Sequence, residues 1–241
     1  MLDVHPPHAP THTWNDFFIH VGTICVGLLI AIALEQTVET VHRASERREL
    51  LHDIHAECES NIRVLVNDLV AYRQKVEWGT QAVNTLRSAP IDHGAVNVTL
   101  PASLSRPATP HAPSRAVWAV AKSSGKVALL PETLAEVFDR VDLQAEQFRL
   151  AADRNNATGR ELANFALKTG TTIEPGATLH LTPDQRDELL ATLAADIGEA
   201  RGAISWVASW EGASKAVLDG KTTRGDMDAY MDGARAEFKT R

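Results

Sequence analysis

Cysteine is scarce in this chain, with only Cys25 and Cys58 among 241 residues. Cys25 lies inside an apolar run and Cys58 on a long helical stretch, so no intrachain disulfide is expected and the fold must rest on packing. Catalytic signatures are equally sparse: there is no G-x-S-x-G turn and no glycine-rich phosphate loop. Strand patterning is almost absent. Lys and Arg are missing from residues 1–16, and the first basic cluster is Arg43, Arg47 and Arg48. That cluster is too small for nucleic acid and fits lipid headgroups better. The net charge of -7 adds no basic surface. These absences predict a protein with no nucleic-acid partner, no cofactor, no metal and no enzymatic site.

What is present begins with Phe17 to Leu34, FFIHVGTICVGLLIAIAL, eighteen residues without Asp, Glu, Lys or Arg. As a helix it is about 27 Å long, close to the roughly 30 Å hydrocarbon core of a bilayer. Trp14 and Phe17 stand where interfacial aromatics belong, and His20 is within a turn of that end. A buried core helix would carry a polar stripe, and here only His20, Gly22, Thr23, Cys25 and Gly27 interrupt the run. Ala31-Ile32-Ala33 has the form read by signal peptidase, which leaves a cleaved, periplasmic alternative, but the basic n-region is missing. An interfacial amphipathic helix is disfavoured because the apolar residues go all the way round. The expectation is a transmembrane helix over 14–36, in a single-pass protein. Within it Thr23, Gly27 and Ala31 recur every four residues as a strip of small side chains suited to helix packing. The arginines after the span place the C-terminal part in the cytoplasm by the positive-inside rule, with a periplasmic location as the alternative.

Residues 1–13 combine His5, His8 and His12 with Pro6, Pro7 and Pro10 and read as a disordered tail; without a rigid scaffold the histidines do not define a metal site. Beyond the span, neither Pro nor Gly interrupts Leu28 to Gly79, so a stalk helix over 37–88 is expected to continue to about Ser88, giving one helix on the order of 100 Å. Ile62, Leu65, Leu69, Tyr72, Val76, Val83 and Leu86 alternate steps of three and four, with Gly79 filling the gap. That is a heptad seam, extended backwards through a stutter to Cys58, Ile54 and Leu51, and it needs cover from this chain or from another copy.

Residues 89–114 hold five of the eleven prolines and read as a linker. Val96, Val98 and Leu100 alternate with polar residues, but a lone strand has nothing to pair with, so a loop is expected. A helical bundle is expected over 115–220. A short helix over Arg115–Ser123 precedes a turn at Ser124-Gly125. Pro131 opens a longer helix whose seam runs through Leu134, Phe138, Val141, Ala145, Phe148, Ala152 and Asn155 to Phe165, ending at Gly170. Thr182-Pro183-Asp184-Gln185 is a capping box, which starts a third long helix reaching Gly220. The 221–241 tail is expected to hold one short helix with Met227, Tyr230, Met231 and Phe238 on a weak apolar side. The fold class is all-α: an N-terminal transmembrane helix continuing into an elongated antiparallel bundle or coiled coil.

Candidate polar clusters do not add up to a site. Glu39 with His42 and Glu49 with His52 have Glu-x-x-His spacing, but about 15 Å separates the two pairs along one helix. His52, His55 and Glu59 read as a solvated helix face. Asp226, Asp228 and Asp232 lack the glycine and closing glutamate of a calcium loop. Arg224-Gly225-Asp226 reads as chance, and Trp118, Trp206 and Trp210 as bundle core.

The run Trp14-Asn15-Asp16-Phe17-Phe18-Ile19-His20, followed by Gly27 through Leu34-Glu35-Gln36, resembles the opening of uncharacterised bacterial single-span inner-membrane proteins, in which a span ending in Leu-Glu-Gln leads into a long helix. Trp118 with Ser124-Gly125 continues the pattern. The resemblance covers about the first sixty residues; it implies an inner-membrane helical protein and transfers no catalytic residue. The expected role is a membrane-anchored helical scaffold or interaction protein, self-associating along the 62–86 seam or joining another membrane protein in the lipid bilayer. The competing class is a single-span sensor whose bundle binds a small ligand.

Overall fold

The computed structural model describes residues 14–102 and 113–240, so the expected tail and its three histidines lie outside the described residues, as do residues 103–112 of the 89–114 segment. The described chain is all-α, with five helices and one small antiparallel sheet. The order is α1 (Trp14–Ser88), β1 (Ile91–Asp92), β2 (Ala95–Thr99), α2 (Ala116–Ser123), a 3-10 turn (Lys126–Leu129), α3 (Glu132–Thr169), β3 (Thr178–Leu181), α4 (Pro183–Leu218) and α5 (Arg224–Thr240). The chain divides into two units, residues 1–49 and 50–241.

In the first unit, α1 contains a window of mean hydropathy 2.5 of which none is buried, and the helix is long and apolar enough to cross a membrane. Its polar side chains are satisfied locally: the Thr23 hydroxyl donates to the Ile19 carbonyl (2.8 Å) and His20 Nδ1 to the Asp16 carbonyl (2.8 Å). Such internal bonding lowers the desolvation cost of polar groups placed in hydrocarbon. Trp14, Phe17 and Phe18 cluster at the start, with ring centroids 5.7 to 6.2 Å apart.

In the second unit, the rest of α1 threads three apolar clusters. Leu50, Ile54 and Cys58 pack with Trp118, Phe138 and Met227; Leu65, Leu69 and Tyr72 with Phe148, Val207 and Trp210; Ala82, Val83 and Leu86 with the sheet, Phe165 and Leu193. Of the expected seam, Leu65, Leu69, Tyr72, Val83 and Leu86 are buried, Val76 is half-buried between two clusters, and Ile62 is half-buried. Helices of this same chain therefore supply the cover, one of the two sources the pattern left open. Gly79, at the gap in the seam, lets α4 approach: a Cβ there would stand 2.9 Å from Ile197 Cγ1.

The expectation of a loop at 96–100 is overturned. α1 stops ahead of Pro90, which disfavours helix in the residue before it. A two-residue turn, His93 and Gly94 at φ 47° and 80°, closes the β1–β2 hairpin. The missing partner is β3, some eighty residues on, paired through Val96 with Leu181 and Val98 with Leu179. Those four side chains face the core while Asn97–His180 and Thr99–Thr178 hydrogen-bond on the outside. The 89–114 segment is thus part sheet, not linker throughout.

The other boundaries follow local chemistry. Pro131 is the N-cap of α3 and not its first helical residue, so the helix starts at Glu132, one residue later than expected, and Gly170 at φ 67° ends it. Thr182 and Gln185 form both halves of the capping box of α4. α5 is seventeen residues long and better seated than a weak apolar side implies, since Met227 and Met231 are fully buried. Gly212 explains the fit: a Cβ there would lie 2.7 Å from the Tyr230 carbonyl oxygen, so α4 and α5 touch backbone to backbone.

Candidate functional site

The densest polar arrangement surrounds the start of α2. Ser114 is clamped by Asn61 of α1: its N–H donates to Asn61 Oδ1 (2.8 Å) and its carbonyl accepts from Asn61 Nδ2 (2.7 Å). α2 has no side-chain cap of its own at Arg115. The Glu57 carboxylate of α1 takes that place, accepting from the Ser114 hydroxyl (2.6 Å) and the Val117 N–H (3.2 Å), where the helix dipole favours negative charge.

From the same turn the Arg115 guanidinium reaches α3. Its Nε donates to Asp142 Oδ1 (2.7 Å) and its Nη1 to Glu146, while Lys122 Nζ donates to Asp142 Oδ2 (2.7 Å). Arg149 completes the chain, donating to Glu146 (2.6 Å) and Asp153 (2.8 Å). Burial opposes the charge on Asp142, but hydrogen bonds from Arg115 and Lys122 outweigh it and hold its carboxyl below the ordinary range. Hydrogen bonds from Arg149 and Arg115 push Glu146 down to about 2. The hydrogen bond to Asp142 in turn holds Arg115 more firmly charged.

Behind this ring, Ile54, Cys58, Trp118, Phe138 and Trp210 help enclose a cavity of about 30 Å³, room for water but not for a ligand. The Cys58 thiol is pushed up to about 12, first by burial and then by the Glu57 charge, so it stays protonated and unreactive. An adjoining cleft of about 150 Å³ has Tyr72, Phe148 and Trp210 in its wall and Arg115, Arg149 and Asn156 along it. The Tyr72 phenol, raised to about 12 by burial and by Asp68, is also protonated.

A second network lies deeper, across α1, α3 and α4. Lys75 Nζ meets Asp196 Oδ1 at 2.8 Å and donates to Asn155 Oδ1 at 3.0 Å, and the Thr158 hydroxyl donates to the same Asp196 oxygen at 2.7 Å. The Asp196 side chain is 6 % exposed and that of Lys75 24 %, so the pair is shielded from water on one side.

The residues singled out from the sequence are not brought to one place. Thr23, Gly27 and Ala31 stay on the exposed helix of the first unit, with nothing within 4 Å of a Cβ built on Gly27. Glu39 pairs with Arg43 (2.6 Å) and His42 with Glu46 (3.7 Å). Asp226 accepts from Thr223 at the start of α5, Asp228 from Arg140, and Asp232 from Arg235. Trp118 and Trp210 are core, as the sequence implies, while Trp206 is half-buried. Among the described residues no three His, Cys, Asp or Glu side chains gather as a metal site. Sequence reading missed Asn61, Arg115, Asp142, Lys75 and Asp196. Only Asn155 carried a signal, as the polar residue in an otherwise apolar seam.

No family model matches the chain, and no curated protein and no solved structure matches it.

Two outcomes test these networks. Asp196→Ala leaves the Lys75 ammonium without its partner and should cost about 3 kcal/mol in chemical denaturation, while the joint Lys75→Met, Asp196→Leu replacement should cost far less; equal losses would contradict the pairing. Asp142 and Glu146 are depressed in the folded state, so their stabilisation is complete above the unfolded carboxylate range near about 4 and drains as pH falls through the lower folded values. Arg115→Gln removes their shared partner. The stability gap between wild type and this variant should be constant at neutral pH and shrink as pH drops from about 5 toward 2; a gap independent of pH would contradict the assignment.

Proposed function

We propose that this protein is a single-pass membrane-anchored helical interaction protein, without enzymatic activity, whose second unit stands in the cytoplasm. The observation that carries this reading is the apolar stretch of α1, which is long enough to cross a bilayer and has no side chain of the described structure covering it. Left in water, exposed Leu, Ile, Val and Phe side chains each forgo about 1.5–3 kcal/mol of burial, so lipid is the natural cover. The arginines that follow the span favour a cytoplasmic second unit.

The filled character of the second unit supports an interaction role over catalysis or ligand sensing. Its three clusters close around α1, and the cavity beside Cys58 has a volume of about 30 Å³. A larger, open cleft of about 320 Å³ lies between α3 and α5, where Arg140 is already engaged by Asp228. A sensor reading would use the cleft of about 150 Å³ beside Tyr72, Phe148 and Trp210. Its guanidinium groups are already engaged by Asp142, Glu146 and Asp153, so an anionic ligand would have to displace three carboxylates.

Alkaline washing of membranes and protease digestion of inside-out vesicles test the reading together. The intact chain should stay with the washed membrane, and the second unit should be digested in inside-out vesicles. Recovery in the soluble fraction after trimming at Ala33 would overturn the anchor, and digestion from the opposite face alone would overturn the orientation.

A further inference from the structure

The exposed face of α1 in the first unit carries a second heptad seam, distinct from the buried one. Ile24, Gly27, Ala31, Leu34, Val38 and Val41 follow steps of three and four without a break, over about 26 Å of helix. Ile24, Leu34, Val38 and Val41 are 62, 62, 68 and 62 % exposed. Lipid accounts for the first part of this face but not for the last, because Val38 and Val41 lie beyond Glu35, where charged residues resume. Apolar side chains at heptad spacing in water call for a protein partner.

We infer that residues 24–41 of α1 form a parallel two-stranded coiled coil with a second copy of this chain, running without interruption from the bilayer into the water beside it. The inference rests on the membrane-anchored reading above. Insertion in one orientation puts two copies parallel and at equal depth, so identical seams meet in register. Their composition fits that partner. Assigning Leu34 to position d puts the β-branched Ile24 and Val38 at position a, the combination that favours two parallel strands around Leu34, with Ala31 at the remaining a and Gly27 and Val41 at the other d positions. Gly27 and Ala31 let the two backbones come close inside the lipid, where small side chains drive packing.

The charges fit as well. Glu39, Arg43, Glu46 and Arg47 fall at outward positions, and the pairs Glu39–Arg43 and His42–Glu46 close within one helix. The Thr37 and Thr40 hydroxyls donate to carbonyls of their own helix, so they seek no partner either. Of the acidic residues only Glu35 flanks the seam, and the residue that would face it in a parallel copy is the uncharged Ile30. Like charges therefore do not oppose one another across the pair.

Disulfide trapping of the full-length chain in native membranes tests this. In a Cys25→Ser, Cys58→Ser background, single Leu34→Cys, Val38→Cys and Val41→Cys variants should form oxidised dimers severalfold more than Gln36→Cys, Thr40→Cys and Arg43→Cys. Adding Val38→Glu to the Leu34→Cys variant should reduce its dimer severalfold while the chain stays in alkaline-washed membranes. Equal yields at all six positions, or crosslinks to a different protein alone, would overturn the homodimer with the chain still membrane-bound. Recovery of the chain in the soluble fraction would overturn the anchor itself, so the two failures are told apart.

Discussion

One face of α1 between Leu50 and Leu86 passes through all three apolar clusters of the second unit, and no cluster closes without it. Each contributes a different set of neighbours: α2 and α5 around Ile54, α3 and α4 around Tyr72, the sheet around Leu86. A helix made only of this face would be indifferent to sliding by a turn, since one leucine or valine fills a hole much like another. Polar groups placed along it remove that freedom. Asn61 and Glu57 hold the entry to α2, and Lys75 meets Asp196 and Asn155 where three helices meet. A buried ion pair contributes little net stability, but one out of register would leave its charges unsatisfied, so it penalises the wrong alignment.

Two glycines show the same constraint at the backbone. Gly79 admits Ile197 against α1, and Gly212 admits the Tyr230 carbonyl against α4, each at a distance no side chain would permit. The aromatic sequence Tyr72, Phe148, Trp210 then fills the middle of the bundle, the first pair edge to face at 6.4 Å and the second tilted at 5.8 Å between centroids. The three clusters and the ion pairs together close the second unit around α1.

Much of this was legible from residues alone. The unbroken run from Leu28 to Gly79, Gly170, and the Thr182 to Gln185 box each encode a helix limit through local chemistry, and the structure places α1, α3 and α4 accordingly. The sheet was not read: the β2–β3 pairing joins residues about eighty apart and has no local signature, and the only local cue was the short His93-Gly94 turn between β1 and β2. Nor was the polar ring: Arg115 and Asp142 look like ordinary helix-surface charges until α2 folds back beside α3. Asn155 was readable as an anomaly in its seam, but its meaning depends on Lys75 and Asp196, which the sequence sets among unremarkable neighbours.

Hydrogen exchange on the intact chain in detergent micelles measures the central dependence directly. If this chain's own helices bury the α1 face, amides at buried positions from Leu50 to Leu86 should exchange with the same opening free energy as those of α3 and α4, as one cooperative unit. Rapid exchange along 50–86 while α3 and α4 stay protected would contradict this, and would mean that the face awaits a partner from outside the chain.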